Sequence, residues 1–272
     1  MRRLADETGL DVDGVAGTGL DGRVTRTDVL GTAARPSSGS APRDDVVALN
    51  PVQRRTGEHL LRSSQIAAHA FVAMEVDFEN VDAVRRVTRF TFMPFIARAV
   101  IDGVGAFPWV NATVTDGEAH VRDEVHLGIA VDLGHQGLIV PVVRDARSKG
   151  LRALAGAIGD VARRARDRSL TPDDVTGGTF TITNPGPAGT ALSVPIINQP
   201  QVGILSTDGV ARRAVVIEAV DGRDAIGSRA IGVLGLSWDH RVFDVAYAAA
   251  FLAHVRNALQ TGDWEAAALE PG

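Results

Sequence analysis

The segment Leu236–Asp244, reading Leu-Ser-Trp-Asp-His-Arg-Val-Phe-Asp, sets His240 between Asp239 and Asp244 where an extended stretch gives way to a helix. An imidazole held in such a turn can exchange a proton near neutral pH, which is what a general base must do. The flanks fix its position. Arg229–Trp238 is rich in Ile, Val and Leu with small residues between, which predicts a largely buried strand. Val245–Ala258 lacks Gly and Pro and carries Ala246, Ala249, Ala250 and Ala253 at helical spacing around Phe251 and Leu252. His240 is therefore expected in the connecting turn, held at both ends yet reachable. Two plainer readings stand beside this one. Asp244 occupies the place of a helix N-cap, and an Asp-His-Arg run can be a solvated charge cluster.

A second candidate is Gly177–Gly186, a strand with alternating hydroxyls that stops at Asn184-Pro185-Gly186. A hydroxyl at such a strand end, Thr183, can aim a donor at a developing oxyanion. Threonine is also a common strand residue because it is β-branched. Other chemistries lack their residues. Gly235-Leu236-Ser237-Trp238-Asp239 ends on the wrong residue for a hydrolase elbow. His240 and Asp244 are four apart, but no Glu-bearing His-x-x-x-His motif accompanies them, and His59, His69, His120, His126, His135 and His254 show no ligand spacing, so no metal site is expected. Most of those six read as surface or packing residues. Asp77 and Glu79, and Asp123 and Glu124, read as solvated charges. Gly17-Thr18-Gly19-Leu20-Asp21-Gly22 matches the dinucleotide fingerprint, but no strand precedes it and no long helix follows, so it reads as a structural loop.

The bulk properties narrow the classes. With 45% hydrophobic residues, 22% charged and a formal net charge of -5, the 272 residues resemble a soluble globular protein. There is no long basic run to grip nucleic acid, no apolar stretch of membrane-spanning length and no signal-peptide region, so a cytoplasmic location is expected. The chain contains no cysteine, which removes disulfides, thiolate metal sites and a cysteine nucleophile together. Thiol chemistry here would use thiols brought by substrates.

Residues 33–46 have linker composition and divide a short piece, residues 1–32, from a body, residues 47–272. The short piece reads as a helical start (Arg2–Thr8), the Gly-rich loop and a second helix opened by the capping pattern Thr25-Arg26-Thr27-Asp28. In the body, helices are predicted over Arg54–Ser64, Met93–Gly103 and Leu151–Asp167. Strands are predicted over Ala70–Phe78, Val110–Thr115, His126–Val131, Leu138–Val143, Thr179–Thr183 and Gln201–Leu205. Several strands are adjacent in sequence, so the expected fold is α/β in composition but not a βαβ repeat. It is an α+β two-layer sandwich, a mixed sheet with helices on one face.

Taken together these motifs resemble the acyltransferase component of 2-oxo acid dehydrogenase complexes, whose catalytic domain is related to chloramphenicol acetyltransferase. Arg2-Arg3-Leu4-Ala5, Gly17–Thr25 and Asp28-Val29 are similar to the peripheral subunit-binding domain of that family. The body is similar to the catalytic domain through His126–Val131, Gly137–Ala146, Gly178–Asn184, Pro195–Gln201 and Asp239–Asp244. The resemblance implies acyl transfer between coenzyme A and the dihydrolipoyl group of a lipoyl domain. His240 would be the general base, Thr183 the hydroxyl that steadies the oxyanion, and Asp244 the partner of an arginine near the start of the catalytic domain. It further implies a homotrimer that assembles into a larger core, with His240 from one subunit facing Thr183 of the next. Residues 1–32 would bind dihydrolipoamide dehydrogenase or the 2-oxo acid decarboxylase. Physically this is coherent. A thiol with pKa about 8.5 needs a base, and a histidine near about 6.5 suits that task.

The sequence departs from the family pattern at three places. Gln53 falls where the first basic residue usually stands, leaving Arg54 and Arg55. Val245 replaces the usual Gly after the last acid. The sequence as given shows no lipoyl domain before the binding domain, and the one lysine, Lys149, lies inside the body. Either a lipoyl domain has been lost by truncation or the lipoyl group is supplied by another chain, and in both cases nothing is expected to be bound covalently to these residues. Two other readings are a non-catalytic tethering subunit and a stand-alone acetyltransferase acting on small acceptors. Retention of His240 and Thr183 argues against the first, and the binding-domain resemblance against the second. The acyl group, whether acetyl, succinyl or branched, stays open.

Overall fold

The computed structural model describes residues 46–134, 136–218 and 222–270, together with 17–19, 23–25 and 28. The chain divides into two units, Met1–Ala48 and Leu49–Gly272. The predicted helix Arg2–Thr8 and nearly all of the linker lie outside the described residues.

The larger unit begins with α1 (Pro51–Ile66), β1 (His69–Asp77), α2 (Glu79–Thr88) and α3 (Met93–Ala106). Short strands follow: β2 (Ala112–Thr115), β3 (Glu118–Val121), β4 (Leu127–Ile129), β5 (Val131–Asp132), β6 (Leu138–Ile139) and β7 (Val142–Val143). Then come α4 (Leu151–Arg166), β8 (Phe180–Thr183), β9 (Gly203–Thr207), β10 (Ala211–Glu218), β11 (Asp224–Asp239), α5 (Val245–Thr261) and α6 (Trp264–Leu269). The main sheet runs β1-β11-β9-β8-β4-β7, with β10 paired to β11. It is mixed as expected: β8 is parallel to β4 and β9, and the other pairs are antiparallel.

One face of the sheet makes the core. Leu234, Leu236 and Trp238 of β11 alternate toward it and meet Phe251, Leu252 and Val255 of α5 and Phe95 of α3, all fully or nearly buried. Burying each such side chain is worth about 1.5–3 kcal/mol. α2 and α6 join the same layer through Val81, Val84, Trp264 and Ala268. The exception to helices on one face is α1. Ala67 at its end packs with Ile197 and Ile204 in a separate cluster, and Ser63 donates to the Ile197 carbonyl at 2.6 Å, which places α1 over the opposite face.

Several expectations are refined. α1 extends beyond Arg54–Ser64 because Asn50 and Gln53 form a reciprocal capping box, with Pro51 following the cap. The predicted strand Leu138–Val143 is two short strands on either side of Val140-Pro141, since proline has no N–H to continue a ladder. Val110–Thr115 opens as a 3-10 turn over Pro108–Asn111. The strand that leads to His240 is longer than predicted, Asp224–Asp239, because its first half pairs with β10. α2, β3, β10 and α6 were not anticipated. Glu79 is also more than a solvated charge. It pairs with Arg212 of β10 at 2.5 Å and accepts from the Ala230 N–H at 2.9 Å, and these bonds hold its carboxyl below the ordinary value against the effect of burial. Gly235 marks a close approach within β11, where a Cβ would stand 2.7 Å from the Phe71 ring and 2.6 Å from Ser206 Oγ.

Candidate active site

His240 sits immediately after β11, as expected. Its backbone N–H donates to Ala68 at 2.9 Å, and Asp239 before it donates to Val202 at 2.9 Å, so the end of β11 is tied to both neighbouring segments. Trp238, buried, donates its indole N–H to the Phe243 carbonyl at 2.8 Å, which closes the turn from inside. The His240 ring lies over the Trp238 ring, 6.0 Å between centroids at 28°, with its outer face exposed. The turn is therefore rigid and its imidazole is presented to solvent in a single chain.

Asp239 is the buried acid of the motif. Arg241 grips it with Nε at 2.9 Å and Nη2 at 2.6 Å, and the N–H groups of Arg241 and Ala68 add bonds at 3.1 and 3.3 Å. Burial pushes this carboxyl up, but the Arg241 guanidinium and the backbone donors outweigh it and hold it below the usual carboxylate range. Asp244 takes the capping role, accepting from the Tyr247 N–H at 2.9 Å at the start of α5. Among the described residues no arginine pairs with it, and Gln53 is occupied by its capping box. Val245 is simply the first helical residue, half-exposed.

Thr183 closes β8, and its side chain shares a face of the sheet with Thr181. Both line a groove of about 480 Å³ between that face and α1, whose Arg55, Thr56, His59 and Leu60 form the other wall. Inside it, His59 Nε2 and Asn198 Oδ1 are 3.0 Å apart, Asn198 Nδ2 donates to Thr181 Oγ1 at 3.4 Å, and Thr181 Oγ1 donates to Gln201 Oε1 at 2.6 Å. The Thr183 hydroxyl has no hydrogen-bond partner among the described residues. His59 and Asn198 were not picked out as site residues by sequence reasoning. The spacing of 55, 56, 59 and 60 on a helix is a signal that could have grouped the helical wall.

Thr183 and His240 do not meet within one chain. In the sheet register Thr183 lies level with Ser206, and Ser206 with Gly235. His240 is five residues beyond Gly235 along β11, so at about 3.3 Å per residue and about 4.8 Å per strand the two lie about 19 Å apart.

In the smaller unit, Asp28 latches the Gly-rich loop. Its carboxylate accepts from the N–H and hydroxyl of Thr18 at 3.0 and 2.7 Å, and from those of Thr25 at 2.7 and 2.9 Å. These donors, the Thr18 N–H foremost, hold the carboxyl far below its ordinary value. Gly19 is needed there, since a Cβ would stand 2.7 Å from the Arg23 carbonyl oxygen. Among the described residues, Thr18 and Thr25 thus both turn their donors on the Asp28 carboxylate.

The mixed sheet with its helical layer matches chloramphenicol acetyltransferase in fold, with a TM-score of 0.50 at 10% identity over 80% of this chain. Residues 41–268 match the catalytic domain of the 2-oxoacid dehydrogenases acyltransferase family, and residues 1–30 match the e3 binding domain. The chain belongs to the 2-oxoacid dehydrogenase acyltransferase family. Over 98% of its length it is 34% identical to the dihydrolipoyllysine-residue acetyltransferase component of the pyruvate dehydrogenase complex of Mycobacterium tuberculosis, spanning 55% of that protein. It is also 34% identical, over 96% of its length, to the succinyltransferase component of the 2-oxoglutarate dehydrogenase complex of Rickettsia felis, spanning 68% of it. The chain thus spans about half the length of the acetyltransferase relatives it matches. Among solved structures, a probable dihydrolipoamide acetyltransferase of Listeria monocytogenes gives a TM-score of 0.71 at 30% identity, over 80% of this chain and 95% of that one. The dihydrolipoamide acetyltransferase of Azotobacter vinelandii, described for the role of a serine, a histidine and an asparagine in its catalytic mechanism, gives 0.74 at 27%, over 86% and 100%.

Proposed function

We propose that this chain transfers an acyl group between coenzyme A and a dihydrolipoyl group, as a core subunit of a 2-oxo acid dehydrogenase complex. The observation that carries the reading is the placement of Thr183 and His240 at opposite ends of one sheet in a member of the acyltransferase family. Each offers half of a site to a neighbouring copy, as a homotrimer would require. The Azotobacter relative is described for a serine, a histidine and an asparagine; Thr183, His240 and Asp244 offer the same kinds of group, a hydroxyl, an imidazole and a short side-chain oxygen.

In the forward direction His240 takes the proton of the coenzyme A thiol as the sulfur attacks the acyl-lipoyl thioester carbon. The carbonyl oxygen becomes an oxyanion, to which the Thr183 hydroxyl of the neighbouring copy donates. Collapse breaks the bond to the lipoyl sulfur, which leaves as a thiolate and takes the proton from His240. Asp244 acts as a positioning residue that fixes the helical side of the turn. The lipoyl group comes from outside these residues: the one lysine, Lys149, follows a short 3-10 turn, and its carbonyl accepts from Arg98 at 2.9 Å. Residues 1–30 would dock dihydrolipoamide dehydrogenase or the decarboxylase.

The test is transfer from acyl-CoA to free dihydrolipoamide by the purified oligomer. Thr183→Val keeps the shape and removes the donor. It is expected to lower kcat by about 10²–10³-fold with little change in KM. Wild-type kcat in that variant would remove Thr183 from the mechanism.

A further inference from the structure

We propose that the groove beside Thr183 reads a negative charge at the far end of the acyl group, so that it favours half-thioesters of dicarboxylic acids over acetyl. This rests on the acyl-transfer reading above. The groove is largely apolar, walled by Leu60, Leu138, Ile139, Val140, Ile196 and Ile204, and its volume of about 480 Å³ is that of a small-molecule site. No Asp or Glu lines it, in a chain where acids outnumber basic residues 33 to 28. Its polar floor is already satisfied, since His59, Asn198, Thr181 and Gln201 bond to one another in a chain. Arg55 differs. Its guanidinium makes no hydrogen bond or ion pair among the described residues, whereas Arg98, Arg164, Arg212 and Arg241 are each committed to a carboxylate.

An unpaired guanidinium on the wall of an otherwise apolar groove is matched by an apolar chain that ends in an oxyanion. A carboxylate fits its fork of donors in a two-point contact. The position of Arg55 favours the acyl carboxylate over a phosphate of coenzyme A. It lines the same groove as Thr183, and the acyl carbonyl must lie against that hydroxyl during transfer. An acetyl group has nothing to give this guanidinium, while a succinyl group does.

Calorimetric titration of the intact oligomer with succinyl-CoA, acetyl-CoA and coenzyme A, without dihydrolipoamide, tests this directly. Succinyl-CoA is expected to bind about 10- to 100-fold more tightly than acetyl-CoA. Arg55→Gln should erase that margin while leaving acetyl-CoA within about threefold of wild type; Arg55 is exposed on α1, and circular dichroism checks that the fold is retained. Equal affinity for the two thioesters in the wild type overturns the proposal. So does an equal weakening of all three ligands in Arg55→Gln, which assigns the guanidinium to a coenzyme A phosphate. If the succinyl margin is present and Arg55-dependent while no acyl group reaches dihydrolipoamide in a parallel transfer assay, the charge-reading groove stands and the acyl-transfer reading falls.

Discussion

His240→Ala is expected to lower kcat for transfer to dihydrolipoamide by about 10²–10⁴-fold, the usual contribution of a positioned general base. The assembled oligomer should survive, because the imidazole makes no hydrogen bond among the described residues and the turn is held by the backbone of His240, Asp239 and Val242. The separation of about 19 Å between His240 and Thr183 adds a sharper form of the experiment. Co-expressed with Thr183→Val, the His240→Ala chain supplies the hydroxyl that its partner lacks and receives the imidazole in return. Random mixing around a closed ring then restores about one quarter of the sites. A site contained within one chain restores none, so complete absence of recovery in a verified mixed oligomer would defeat the shared-site mechanism.

Arg241→Ala should produce the largest loss of stability among changes in the turn. Asp239 is fully buried, and the substitution removes all three side-chain bonds to its carboxylate while leaving only backbone donors. Stranding a buried carboxylate costs about 3–5 kcal/mol when the lost partner is buried as well. Here the guanidinium is 44% exposed, so about 2–3 kcal/mol is expected, a fall of roughly 5–10 °C in Tm. Asp239 also gives the wild type an acid limit. Its carboxyl titrates lower in the folded chain than in the unfolded one. The pair therefore contributes its full stability above about pH 4 and loses it as pH falls through the folded value. Thermal melts from pH 7 to pH 3 should show the gap between wild type and variant closing at the acid end. A gap that stays constant would mean that Asp239 is not the group involved.

The parts of this protein that were legible in its sequence are those fixed by local pattern. The run from β11 through His240 to α5 announced itself by a buried strand, a capping Asp244 and an alanine-rich helix. What stayed hidden depends on pairing partners distant in sequence. β10 carries Arg212 and Arg213 among its apolar residues because it is an edge strand whose charges pair with Glu79 and Glu75. α2 has a short stripe, Val81 and Val84, that has meaning only against α5, α6 and β11. The groove wall of Arg55 and His59 was invisible for the same reason: nothing local says that α1 lies over the face of the sheet opposite the other helices. Asp244 had two readings, and its bond to Tyr247 supplies the capping one.

The length of β11 has a consequence for how the protein breathes. From Leu234 to Trp238 it is paired on both sides, by β1 and β9, whereas from Asp224 to Ala230 its one partner is β10. Amides in the first segment can exchange with solvent only when the sheet comes apart as a whole, while those in the second are released by local fraying of a two-stranded ribbon. In deuterium-exchange measurements the protected block should run from Leu234 through His240, whose own amide is bonded to Ala68, with the ribbon exchanging much earlier. The base is thus anchored to the slowest-opening part of the molecule, and motion in the outer ribbon can proceed without disturbing it.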